Sequence, residues 1–271
     1  MNTSPKLPSL LLVGGGRMGS ALLAGWREQG FSQAVVADPS PEAARLAGPD
    51  VTVVPGPDEI PGGFTPAAIV LAVKPQMAAA ALPAYARYAG RAVFISIMAG
   101  KTIHAIAQLV GCQAAIVRAM PNTPAAVRQG ITVAHACNHV TSGQRALADM
   151  LLTAAGQVAW VEDEGLLDPV TAISGGGPAY VFLLAELLEQ AGLDQGLPPA
   201  LARQLARQTV IGSAALLAAS DEDAAQLRIN VTSPGGTTAE ALKLLRADDA
   251  LPKIFRAAIQ AATDKSRMLS A

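Results

Sequence analysis

Through the first half of the chain and a little beyond, short apolar runs recur, each cut off by glycine, proline or an acidic residue. Runs at 10–13, 34–37, 51–54, 67–73, 92–97, 114–117, 131–135 and 158–161 are close to continuously apolar. Strands buried on both faces read this way, whereas half-buried strands alternate. Between the runs, segments at 20–29, 41–47, 76–85, 102–109 and 142–155 have helical composition, and Pro55-Gly56-Pro57 and Pro61-Gly62-Gly63 supply turns. Short strands alternating with helices predict a parallel sheet covered on both faces.

After Glu162-Asp163-Glu164 the texture changes. From Leu166 onward the periodicity is helical, with helices expected at 179–190, 198–218, 222–228, 239–245 and 251–268. These helices are rich in Ala and Leu and carry wide apolar faces, which implies packing beyond one chain. The expectation is a homodimer through this helical half, with residues 1–162 as one domain and 163–271 as the other.

Composition narrows the classes. In 271 residues, 51% are hydrophobic, enough for a core in each domain. Twenty basic residues against 21 acidic ones give a net charge of −1, and the basic residues are scattered. Nucleic acid and membrane partners are therefore not expected. Cys112 and Cys137 lack CxxC spacing, and two reduced, mostly buried thiols fit the cytoplasm. Lys6 precedes a short apolar run that leads straight into a glycine turn, as in a first strand and not a signal peptide. The uncharged run at 169–185 is interrupted by Gly175-Gly176-Gly177-Pro178 and is short of a membrane span. His104, His135 and His139 have no metal-ligand spacing, so no metal is expected.

The chemistry begins where the first apolar run ends. Gly14, Gly16 and Gly19 have the spacing GxGxxG between a strand and a helix. In a dinucleotide site the first glycine permits the turn, the second admits the pyrophosphate and the third lets the helix pack on its strand. Asp38 closes the second strand, roughly twenty residues further on, where a carboxylate accepts hydrogen bonds from the adenosine ribose. This predicts a Rossmann-type, doubly wound α/β domain followed by an all-α domain. Ligands of such sheets lie at the carboxyl ends of the strands, which here lead into Lys74-Pro75 and Ala99-Gly100.

Three further stretches, read as loops, carry unusual chemistry. Ser174-Gly175-Gly176-Gly177-Pro178 offers backbone N–H groups at a helix start as a carboxylate cradle. In Asn230-Val231-Thr232-Ser233-Pro234-Gly235-Gly236-Thr237-Thr238, either threonine suits a helix N-cap. Arg118-Ala119-Met120-Pro121-Asn122 sits at a strand end on the crevice side.

The ordered set GGGRMG at 14–19, AVKP at 72–75, SIMAGKTI at 96–103, VRAMPNTPAAVRQG at 117–130, SGGGPAYVF at 174–182 and NVTSPGGTTAEAL at 230–242 resembles the pyrroline-5-carboxylate reductase family along nearly the whole chain. The resemblance implies a Rossmann domain followed by a helical domain that interlocks in a dimer, often within larger rings. It also implies hydride transfer from NADPH or NADH to the C=N carbon of 1-pyrroline-5-carboxylate, giving L-proline. On that pattern Thr238 is the catalytic hydroxyl near the ring nitrogen. Gly175, Gly176, Gly177, Asn230, Ser233 and Thr237 bind the substrate. Gly14, Gly16, Arg17, Met18, Gly19, Asp38, Ala72, Val73, Lys74, Pro75, Ala99, Gly100 and Asn122 bind the cofactor. Met98 and Met120 are packing residues.

The chain departs from the family pattern in three places. Gly176 stands where relatives often have serine, which removes one hydroxyl donor and keeps the backbone cradle. Asp223-Ala224-Ala225-Gln226-Leu227-Arg228 replaces the usual HPxxLKD, leaving Asp221 or Glu222 as the acidic partner there. Asp38 replaces the small hydroxyl residue that goes with a 2′-phosphate, and no arginine follows in Pro39-Ser40-Pro41, so NADH should be accepted. A hydroxyacid dehydrogenase, built on a similar first domain, needs a lysine base on the central helix, and residues 179–189 contain none. A non-catalytic nucleotide sensor would bind cofactor without turning over pyrroline-5-carboxylate.

Overall fold

The computed structural model describes residues 7–270, and the expectation for Lys6 lies outside the described residues. Eight strands form one sheet: β1 (Leu10–Val13), β2 (Ala34–Ala37), β3 (Val51–Val54), β4 (Ala68–Leu71), β5 (Val93–Ser96), β6 (Ala115–Met120), β7 (Gly130–Ala136) and β8 (Gly156–Trp160). Their order is β3-β2-β1-β4-β5-β6-β7-β8. All neighbours are parallel except β6 and β7. That pair departs from the all-parallel expectation because only residues 121–129, a 3-10 turn at Thr123–Val127, connect the strands. A parallel crossover needs a dozen or more residues.

Successive residues of one strand enter opposite cores. Leu10 and Leu12 pack in a cluster with Leu22, Leu23 and Trp26 of the helix Arg17–Gln29 and with Ala148, Leu151 and Leu152 of the helix Ser142–Thr153. Leu11 and Val13 pack in a second cluster with Leu82, Tyr85, Ile106 and Val110 on the other face. This two-sided burial explains why the strand sequences do not alternate. Gly25 lets two helices meet, since a Cβ there would stand 2.3 Å from the Ala154 carbonyl oxygen. Close by, Trp26 Nε1 donates to the carbonyl of Leu151 at 2.8 Å.

Some boundaries moved for identifiable reasons. The helix expected at 20–29 begins at Arg17, directly off the glycine turn. The segment expected at 76–85 is broken into a 3-10 turn Pro75–Met77, one α-turn Ala78–Ala81 and a 3-10 helix Leu82–Tyr88, because Pro75 and Pro83 have no N–H to donate. Cys112 is exposed and Cys137 half-buried, which corrects the expectation of two mostly buried thiols.

The chain forms two compact units. One runs to Gly175 and takes in the chain again from Ala262; the other is Gly176–Ala261. The second contains Gly177–Asp194, Pro199–Ala219, Ala224–Asn230, Thr237–Arg246 and most of Ala250–Ser270. Among its hydrophobic residues only Ala202 and Ala206 reach core-level burial.

Candidate active site

Register brings the expected cofactor residues to one end of the sheet. Val13 pairs with Ala37 on one side and Leu71 on the other, so Gly14, Asp38 and Ala72 leave adjacent strands at the same level. The strand order reverses between β1 and β4, and this is where open α/β sheets bind ligands.

Each of the three glycines has a different reason to lack a side chain. Gly14 has φ +101°, and a Cβ there would stand 2.7 Å from the backbone of Ala72. A Cβ on Gly19 would meet the Gly14 carbonyl oxygen at 2.3 Å, so the helix can rest on its strand only without one. At Gly16, no heavy atom of the described residues lies within 4 Å of the Cβ position. That open space is what a phosphate group approaching the backbone requires. Gly16 is the N-cap of Arg17–Gln29 and has no side-chain cap among the described residues, so the first-turn N–H groups of Arg17 and Met18 face outward. The turn therefore fits a dinucleotide on its own geometry.

Asp38 is tied into this turn. Its Oδ2 accepts from the Gly15 N–H at 2.6 Å and its Oδ1 from the Ser40 N–H at 2.8 Å. The two bonds hold the carboxylate plane beside the glycines, leaving each oxygen a further lone pair for ribose hydroxyls.

The neighbouring strand ends carry the remaining cofactor candidates. Ala72 and Val73 are half-buried, Lys74 is exposed, and Pro75 opens a 3-10 turn in which the Lys74 carbonyl accepts from Met77. After β5, Ala99 is exposed and Gly100 buried, with φ +68°. A Cβ on Gly100 would meet the backbone of Leu269 at 3.0 Å. After β6, Asn122 Oδ1 accepts from the Ile131 N–H at 2.9 Å, which assigns its amide NH2 as the remaining donor group.

The glycine run at 174–177 is not a loop. Thr171–Gly175 forms a π-helical turn, Gly176 is right-handed helical, and Gly177–Asp194 continues as α-helix. Pro178 explains the widening: it has no N–H for the Ser174 carbonyl, and its ring would crowd that carbonyl in a regular helix. Such π-turns often mark functional positions. A Cβ on Gly175 would lie 2.8 Å from Met120 Cε, so this turn meets the RAMPN stretch within the first unit. Met98 is buried at 3% exposure, in keeping with packing.

In the second unit the capping reading of the threonines is corrected. The N-cap of Thr237–Arg246 is Gly236, and no side chain caps it among the described residues. Thr237 and Thr238 occupy the first helical positions and are exposed, and the Thr238 hydroxyl makes no hydrogen bond among the described residues. Ser233 is exposed, and its carbonyl accepts from the Gly236 N–H at 3.0 Å. Asn230 is held between two neighbours: its Nδ2 donates to Glu222 Oε2 at 2.9 Å, and its Oδ1 accepts from Gln226 at 2.8 Å. Glu222 is thus the acidic partner. A cavity of about 500 Å³ beside this loop is lined by Arg228, Thr232, Lys243 and Arg246 with apolar neighbours, and its lining includes neither Thr237 nor Thr238.

Two residues given no individual role in the sequence analysis are joined in the structure. Arg118, 5% exposed on β6, pairs with Glu164 at 2.9 Å. They are 46 positions apart, and only a charged residue inside an otherwise apolar strand signals that a partner must exist.

A doubly wound sheet with a glycine turn open at its second glycine and a carboxylate fixed beside it is the architecture of a dinucleotide-binding domain. Residues 9–100 match a family model described as NADP oxidoreductase, coenzyme F420-dependent, and residues 164–269 match one described as pyrroline-5-carboxylate reductase dimerisation. The chain belongs to the pyrroline-5-carboxylate reductase family. It is 36% identical over 268 residues to the pyrroline-5-carboxylate reductase of Pseudomonas aeruginosa, covering 97% of each chain. It is similar in structure to a pyrroline-5-carboxylate reductase from Coxiella burnetii, with TM-score 0.89, 33% identity and coverage of 97% of this chain and 98% of that one. It also resembles Plasmodium falciparum pyrroline carboxylate reductase with NADP bound, with TM-score 0.84, 31% identity and coverage of 99% and 100%.

Proposed function

We propose that this chain reduces the C=N bond of 1-pyrroline-5-carboxylate to L-proline, the last step of proline biosynthesis, as a homodimeric NAD(P)H-dependent oxidoreductase. The observation that carries the reading is 36% identity with the pyrroline-5-carboxylate reductase of Pseudomonas aeruginosa in an alignment covering 97% of both chains. When bound, the reduced nicotinamide supplies the hydride for the imine carbon.

The chain's own residues hold, orient and donate. Gly14, Gly16 and Gly19 shape the pyrophosphate turn, and the amides of Arg17 and Met18 face the phosphates. Ala72, Val73, Lys74, Pro75, Ala99, Gly100 and Asn122 line the nicotinamide end. Asn230, Ser233 and Thr237 receive the substrate carboxylate; Gly175, Gly176 and Gly177, whose backbone runs on as helix and so does not form the free N–H cradle expected of a loop, offer side-chain-free space beside it. Thr238 donates to the ring nitrogen as it becomes an amine, a role that suits a hydroxyl left unengaged within its unit. Functionally, residues 1–162 bind the dinucleotide and 163–271 bind substrate and make the dimer. The packing division at Gly175 is a separate property of the chain.

The dimer accounts for a helix that would otherwise be puzzling. Glu164–Asp194 is long and apolar enough to cross a membrane by length and composition, and only 6% of its apolar window is buried in the single chain. It lies within the residues matched by the dimerisation model. A second copy is therefore the natural cover, and dimers built this way can assemble into a larger ring. Free Cys112 and Cys137 suit the cytoplasm.

Asp38 supports acceptance of NADH. A carboxylate held beside the turn repels a 2′-phosphate, and the second strand supplies no arginine to offset it. NADH should be used at least as readily as NADPH. Steady-state kcat/KM for both cofactors checks this, and Asp38→Ser should move the ratio toward NADPH by about tenfold, the size of one lost charge repulsion. A hundredfold preference of the unmodified enzyme for NADPH would refute it.

A further inference from the structure

One carboxylate oxygen joins two of the turns just assigned to the cofactor. Glu164 Oε1 accepts from Arg118 at 2.9 Å and from the backbone N–H of Ile103 at 2.8 Å. Ile103 is the first residue of the helix Ile103–Val110, which follows the turn holding Ala99 and Gly100. Arg118 lies opposite Ser96 on β5, two residues before β6 ends and the chain turns toward Asn122.

The chemistry makes this junction stiff. Arg118 cannot shed its proton, so its buried guanidinium requires a carboxylate. A carboxylate on the first N–H of a helix is also favoured by the partial positive charge there. Gly100, on the turn after β5, lies close to Leu269, since a Cβ there would stand 3.0 Å from it. Leu269 is itself fixed through Asp168, whose Oδ1 accepts from Ser266 at 2.6 Å and from Ser270 at 3.5 Å.

We infer that Glu164 is a positioning residue for the nicotinamide end of the cofactor site. Its carboxylate sets the spacing between the turn after β5 and the turn after β6 without touching cofactor or substrate. The inference rests on the cofactor reading above. A purely structural ion pair would be replaceable by any substitution that removes both charges together.

The test uses the full-length dimeric protein with Glu164→Ala, Glu164→Gln and the pair Arg118→Met with Glu164→Leu. Equilibrium titrations with whole reduced cofactor and with ADP-ribose, which lacks the nicotinamide, are read beside the thermal midpoint and the kinetic constants. Glu164→Ala should weaken whole-cofactor binding about tenfold and lower the midpoint, as misplaced positioning groups do. Glu164→Gln keeps an acceptor for Ile103 and removes the charge that Arg118 requires, so its whole-cofactor binding and midpoint should fall between those of the unmodified protein and Glu164→Ala. The paired variant should regain the midpoint and remain about tenfold weak for the whole cofactor, while ADP-ribose binds all variants alike. Full recovery of cofactor affinity in the paired variant, or parallel weakening of ADP-ribose, would overturn the inference. Failure of ADP-ribose to bind the unmodified protein would instead count against the cofactor reading itself.

Discussion

The sheet and the helical unit solve the same problem in different ways. In the sheet unit both faces are closed by helices of the same chain, and Leu10, Leu11, Leu12, Trp26 and Phe94 are all at 1% exposure or less. In the helical unit Phe182, Leu187, Ile211 and Ile254 are 56–68% exposed. A helix that is apolar all round needs cover on all sides. The first unit is thus a finished core that presents backbone amides to a dinucleotide, whereas the second is half of a core that a second copy completes.

The largest effect should come from attacking that difference directly. Phe182 in the helical unit and Val127 in the sheet unit are exposed alike, at 68% and 69%. Phe182→Glu should weaken the dimer about a thousandfold, since an unpaired charge in an apolar interface costs several kcal/mol. Val127→Glu should leave the sedimentation coefficient unchanged. Equal behaviour of the two variants would break the comparison.

Chemistry on the helical side gives the next effect. Thr238→Val removes one positioned donor and should lower kcat by about ten- to a thousandfold with cofactor affinity unchanged. If kcat holds, Thr238 has no part in the reaction.

Smaller again is Gly16→Ala on the sheet side. Nothing among the described residues opposes the added methyl, so the thermal midpoint should hold while cofactor affinity falls about tenfold as phosphate space is filled. Gly19→Ala should instead lower the midpoint, because its methyl strikes the Gly14 carbonyl.

The smallest effect sharpens the finished-core description. Burial pushes the Tyr85 phenol up to about 12, the nearby Arg87 charge only partly opposing it. The unfolded chain then releases this proton first, so stability is intact below pH 10 and declines as the pH rises from 10 through about 12. In alkaline melts Tyr85→Phe should flatten this part of the decline; an unchanged slope would mean that Tyr85 does not cause it.

What the sequence displays and what it conceals follow the same division. Continuous apolar runs made all eight strands visible, and the spacing of Gly14, Gly16 and Gly19 placed the cofactor turn, because both depend on local residue types. The run at 174–177 reads as a loop in the sequence, since glycine and proline signal a break and give no warning that a π-turn will carry the helix past Pro178. The antiparallel β7 depends on the shortness of one connection. Least legible was the junction of Glu164 with Arg118 and Ile103, where remote stretches meet only once the sheet has formed.

The most direct test of the account follows the hydride itself. Reduced cofactor deuterated at its donating carbon, given to the purified protein with 1-pyrroline-5-carboxylate, should deliver one deuterium to the former imine carbon of L-proline for each cofactor oxidised. Proline formed without label, or no cofactor oxidation at all, would contradict it.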